Sequence, residues 1–137
     1  MWQAAVDIFA FDALIQNPDR RYHNPNLLTK GESLFVYDHE LAFSFLDDVL
    51  PSTRSWSMAS QRWLREHVLY RRLKSQPIDL TGFSQALDGL SDGMLGTMVA
   101  DIPVEWNNGI VAGIERHLRV MREHSSEFAE EIRRFLV

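Results

Sequence analysis

The chain has 137 residues, 45% hydrophobic and 24% charged, with a net charge of -5 and no cysteine. That length predicts one domain, residues 1–137, with ample apolar material for a core. The acidic balance disfavours a general nucleic-acid binder, the lack of cysteine excludes disulfides and thiolate zinc sites, and no apolar run approaches the ~18 residues that span a bilayer. Met1-Trp2-Gln3-Ala4 carries no basic stretch, so the expectation is no signal peptide and a cytoplasmic setting.

Trp2, Val6, Phe9, Ala13 and Leu14 recur at helical spacing, which predicts an amphipathic helix over 2–16. Asn17-Pro18 stops it, because proline disfavours helical geometry in the preceding residue. Asn24-Pro25-Asn26 is a second turn signal. Leu27-Leu28-Thr29 and Leu34-Phe35-Val36-Tyr37 flank Lys30-Gly31-Glu32-Ser33 as a hairpin would, with Gly31 free to take a positive φ. Leu41 to Leu50 reads as a short helix ended by Pro51. A helix capped by Ser55 or Ser57 is expected to run to about Lys74, with Met58, Trp63, Val68 and Leu69 apolar. Gln76-Pro77 breaks it. Asp79 or Thr81 caps a helix over Gly82–Leu90, and Ser91-Asp92 caps another through Ala100. Pro103 opens a longer helix, placing Ile110, Ile114, Leu118 and Met121 on one face. Ser125 or Ser126 caps the last, with Phe128, Ile132 and Phe135 inward. The expectation is a mainly α chain with one small hairpin: a loop region over 17–43 and a compact bundle over 44–137. No internal repeat or low-complexity segment stands out.

The chemistry lies in Asn17-Pro18-Asp19-Arg20-Arg21-Tyr22-His23-Asn24 and in Asp38 after the hairpin. Transfer of a phosphoryl group to a hydroxyl needs a carboxylate at the hydroxyl proton. It also needs an amide oxygen and a second carboxylate holding Mg2+ against the phosphates. Asp19 has the position of the base. Asn24, five residues on, and Asp38, brought back by the hairpin, have the positions of the metal ligands. Hard oxygen ligands suit Mg2+. The bland alternative is that Asn-Pro-Asp and Asn-Pro-Asn are ordinary turns, with Asp19 capping its own turn.

Asp19-Arg20-Arg21-Tyr22-His23-Asn24 resembles the D-R-H-x-x-N loop of HipA-like kinases and, more distantly, of phosphoinositide kinases. Asn24-Pro25-Asn26-Leu27-Leu28, Tyr37-Asp38-His39-Glu40-Leu41-Ala42-Phe43 and Ile102-Pro103-Val104-Glu105-Trp106 extend the resemblance to a HipA-like subgroup. It implies the helical C-lobe of a protein-kinase-like fold, serine/threonine kinase ancestry, ATP and Mg2+, and in some relatives a toxin–antitoxin role. Carried over by position, Asp19 is the catalytic aspartate, and Asn24 and Asp38 are the metal ligands. The sequence departs from the family in having Arg21 where the loop usually has His, and no glycine two places after Asp38. It also has no G-x-G-x-x-G; Gly89, Gly93 and Gly96 fall in a helical stretch. The residues given therefore resemble a C-lobe alone, expected to be inactive or very slow without an N-lobe. The partners implied are a protein N-lobe or an antitoxin, with self-association as a further expectation. The rival function is a non-catalytic, pseudokinase-like interaction domain.

His23 and His39 flank the loop and read as local hydrogen-bonding groups before they read as ligands. Glu40 reads as a favourable charge at a helix start. Asp7, Asp12, Asp47 and Asp48 read as a solvated acidic face. Arg54, Arg62, Arg65, Arg71, Arg72 and Lys74, opposed only by Glu66, read first as an exposed helix face and second as a receiver of an acidic or phosphorylated partner. Trp56, Trp63 and Trp106 read as core, whereas Trp2 is expected to sit in an exposed apolar patch.

Overall fold

The computed structural model describes residues 1–47, 54–106 and 109–137. Its regular elements are mainly helical: α1 (Trp2–Leu14), α2 (Tyr70–Leu73), α3 (Thr81–Asp88), α4 (Asp92–Ala100), α5 (Ile110–Glu123) and α6 (Ser125–Leu136). One antiparallel hairpin joins β1 (Leu27–Lys30) to β2 (Ser33–Val36). Its register pairs Leu27 with Val36 and Lys30 with Ser33. Gly31, at φ 59, begins the two-residue turn, where a side chain would be strained.

The core gathers around α1. Val6, Phe9, Ala10 and Ala13 are buried with Leu64, Leu73, Leu80, Met121, Phe128 and Ile132. α1 packs against β2 and α2, while α6 packs against α3 and α5. α1 ends as the backbone turns left-handed at Gln16 (φ 49), and the Asn17 N–H returns to the Asp12 carbonyl at 3.0 Å. This tight closure sends the chain directly into the 17–24 loop.

Ser91 accepts the Met94 N–H at 3.2 Å and caps α4 as expected; α3 begins at Thr81 with Leu80 at its N-cap, and Asp79, one residue before, accepts the Thr81 N–H at 2.9 Å. Phe128 and Ile132 are buried on α6 as their spacing requires, with Phe135 half-buried.

Other expectations need correction. The helix expected from Ser55 to Lys74 is three short pieces: 3₁₀ turns at Met58–Ser60 and Arg62–Glu66, then α2. The break falls at His67, whose extended backbone (ψ 138) bridges Arg21 of the loop. Inter-segment pairing has replaced helical hydrogen bonds there. Within Leu41–Leu50, a 3₁₀ turn occupies Ser44–Asp47; Asp48, Leu50 and Pro51 lie outside the described residues, as do the side chains of Asp47 and Trp106. Ile110, the first residue of α5, is 47% exposed, and the buried residues of that helix are Val111, His117 and Met121. Asp12, read as solvated, is fully buried.

Candidate functional site

The loop after α1 is set on a buried polar cluster. Arg20, 1% exposed, donates from Nε to Asp12 Oδ2 at 2.5 Å and from Nη2 to Asp12 Oδ1 at 3.2 Å. Its Nη1 donates to the Asn26 carbonyl and, at 3.3 Å, to the Tyr37 carbonyl, so one guanidinium ties the entry of the hairpin to its exit. Nη2 also reaches His39 Nε2 at 3.0 Å. The arginine donates, which makes that imidazole nitrogen the acceptor.

His67 completes the cluster from the other side. Its Nδ1 accepts the Leu69 N–H at 3.1 Å, so Nε2 carries the proton donated to Asp12 Oδ2 at 3.0 Å. Burial is the largest influence on the Asp12 carboxyl and would raise it. The hydrogen bonds from His67 and Arg20, with the Arg20 charge, outweigh burial and hold the group below its ordinary value. A buried charge left with fewer partners would be costly, so the cluster fixes Asp12, Arg20 and His67 as a unit.

On this base stand the residues singled out by the sequence. Asp19 is half-buried. Its Oδ2 accepts from the amide nitrogens of Asn24 at 3.0 Å and Asn26 at 3.1 Å, and its N–H donates to Asn17 Oδ1 at 3.3 Å. Asp19 and Asn24 are therefore in direct contact. Asp38 follows β2, one residue past Tyr37, whose N–H bonds the Asn26 carbonyl at 3.3 Å. Beyond the last strand pair, Leu27 with Val36, both Asn26 and Asp38 leave extended geometry. Gln16, Asn26 and Asp38 all have positive φ (49, 40 and 55), three left-handed corners within this one region. Asn and Asp tolerate that conformation better than most side chains, and such corners cluster at functional sites.

The donor chemistry fits a hard divalent cation. Because Asn24 uses its NH2 toward Asp19, its Oδ1 has no partner among the described residues; the same holds for Asp19 Oδ1 and the exposed Asp38 carboxylate. Hard oxygens of this kind suit Mg2+; among the described residues no three His, Asp or Glu side chains gather as a metal cluster.

His23 is exposed. His39 makes the local hydrogen bond expected of it, and Phe11 meets its ring edge-on at 5.9 Å. Glu40 is exposed. Sequence reasoning missed three residues of the base: Asp12, Arg20 and His67. Arg20 carried a signal, being the arginine next to the loop aspartate. Asp12 and His67 carried none: an aspartate on a helix looks the same buried or exposed, and His67 lies 55 positions from Asp12.

The model of the family described as HipA-like kinase matches residues 2–131, nearly the whole chain. No curated protein and no solved structure matches it.

Proposed function

This chain belongs to the HipA-like kinase family, and from that premise we propose that residues 17–43 form the acceptor- and metal-facing half of a phosphotransfer site. In this reading Asp19 Oδ1 orients the hydroxyl of a protein serine or threonine and takes its proton as the ATP γ-phosphate is transferred. Asn24 Oδ1 and the Asp38 carboxylate hold Mg2+, which when bound neutralises charge on the phosphate oxygens. The observation that carries the reading is the Asn24–Asp19 hydrogen bond, which fixes both side chains and leaves one oxygen of each available.

The half-site needs a nucleotide-positioning lobe from outside residues 1–137, since these contain no glycine-rich phosphate loop. Positioning and charge stabilisation supply most of phosphoryl-transfer catalysis, so this half alone is expected to turn over very slowly. The hairpin offers a surface for such a lobe, with cross-strand neighbours Leu28 (59% exposed) and Phe35 (52% exposed) open to solvent.

Titration with Mg2+ and then ATP, followed by backbone amide shifts, tests the half-site. Saturable shifts at Asp19, Asn24 and Asp38, abolished by Asp38→Ala, are expected. Unmoved amides with both ligands would leave the non-catalytic interaction domain as the better reading. With a complementary N-lobe supplied, Asp19→Asn should lower phosphate incorporation by about 10²–10⁴-fold.

A further inference from the structure

Two concave regions meet on the 58–74 segment and share Arg65. The smaller, 230 Å3, is walled by Tyr22 and His23 of the loop and by Arg65, Glu66 and Arg71. The larger, 690 Å3, runs on past Arg62, Tyr70, Lys74 and Arg134. The small end is fastened to the loop. The Tyr22 N–H donates to the Glu66 carbonyl at 3.1 Å, and the Val68 N–H donates to the Arg20 carbonyl at 3.0 Å. The groove thus begins at the loop that carries Asp19.

Its charge is positive although the chain's is negative. Arg62, Arg65, Arg71 and Lys74 are all exposed. The nearby carboxylates are engaged: Glu130 and Glu131 lie 3.5 and 3.6 Å from Arg134. Glu66 faces Arg21 at 3.8 Å, and Glu131 accepts from Ser57 Oγ and the Met58 N–H, both at 3.1 Å. Arg71 lies over the Tyr22 ring at 5.6 Å and Arg65 over the Phe135 ring at 5.8 Å. A guanidinium held over a ring by cation–π attraction keeps N–H groups available for carboxylates. Those arginines also take one face of each ring, which disfavours base stacking and hence single-stranded nucleic acid. The cations are spread along the groove rather than converging, as suits several carboxylates on an extended chain better than one phosphate.

We propose that this groove seats a glutamate- or aspartate-rich segment of the acceptor protein, delivering its serine or threonine to Asp19. The acceptor role rests on the phosphotransfer reading above; the binding does not, and the test keeps them apart. A fluorescent peptide with one serine among glutamates, and its glutamine counterpart, are titrated with the 137-residue chain by anisotropy, without ATP or Mg2+. The glutamate peptide should bind, more weakly as salt rises, and should shift the Tyr22 and His23 amides. Arg65→Glu with Arg71→Glu should weaken it by about tenfold or more. Asp19→Asn should leave binding unchanged. Arg62→Glu with Lys74→Glu, at side chains that make no hydrogen bond or ion pair among the described residues, provides the same test should the first pair fail to fold. Equal affinity for the two peptides, indifference to both charge reversals, or tighter binding of a uridine oligonucleotide through the same arginines would overturn the proposal. Failure of the Mg2+ titration with glutamate-specific binding intact would remove the kinase reading and leave the acidic-segment site standing.

Discussion

Two regions of the molecule are held by different balances of forces. The 17–43 loop rests on a few saturated polar contacts around Arg20, each with defined partners and geometry. α5 and α6 rest mainly on apolar contacts, with Met121, Phe128 and Ile132 buried, and one directional bond from His117 of α5 to the Leu14 carbonyl. Apolar packing tolerates small displacements and loses stability in proportion to lost volume. A buried polar cluster is close to all-or-none, because a missing partner strands a desolvated charge. The candidate site is in the region that specifies one geometry; the bundle supplies bulk stability.

Substitutions can break this contrast. Arg20→Ala leaves Asp12 buried with His67 and Asn17 as its side-chain partners, and should cost about 3–5 kcal/mol in denaturant unfolding. Phe128→Ala should cost a similar ~3–5 kcal/mol by leaving a cavity. The two should differ in location. Amide shifts across 17–40 should move widely in the arginine variant and hardly at all in the phenylalanine variant.

Acid should separate the regions in order. His117, on α5, is pushed below its ordinary value of 6.5 by burial, against the opposing effect of its bond to the Leu14 carbonyl. The folded state prefers this ring neutral, so its contribution is complete above 6.5 and fades as pH falls through the lowered folded value. Asp12 is also lowered, from 3.8. Its contribution is complete above 3.8 and is lost only as pH falls through its still lower folded value. Thermal melts across pH should therefore show two successive losses, and His117→Gln should remove the first. Similar slopes in both proteins between pH 6.5 and 4.5 would count against this order.

Smaller effects sharpen the contrast. Asn26→Gly keeps the left-handed corner and the carbonyl used by Arg20 but removes one donor from Asp19. It should cost about 1.5 kcal/mol and raise the mobility of Asp19, read by amide relaxation. Ser91→Ala removes the α4 cap and should cost about 1 kcal/mol, with no change in the loop spectrum.

The same division explains what could be read from the sequence. Phe128 and Ile132 were legible because burial on a helix repeats at a fixed period, and the Ser91 cap and Gly31 turn because their partners are adjacent. The Asp19–Asn24 contact was legible because a five-residue loop constrains its own ends. Asp12 was not, because an aspartate on a helix looks the same facing water or facing Arg20. The 55–74 helix was misread because the pairing of His67 with Arg21 spans 46 positions and leaves no local trace. Ile110 was misjudged because it is the first residue of α5, where the helix end leaves it open to solvent.

Arginine has five N–H bonds, and Arg20 has five contacts: two to Asp12 and one each to Asn26, Tyr37 and His39. None is spare. A lysine would present three hydrogens from a single point and could not reach acceptors so widely placed. Arg20→Lys, conservative in charge, would dismantle the bracket that ties the Asn26 carbonyl at the entry of the hairpin to the Tyr37 carbonyl at its exit. A side chain with no spare donor also has no second resting position. Any regrouping of the loop must therefore give up a buried hydrogen bond before it can gain another.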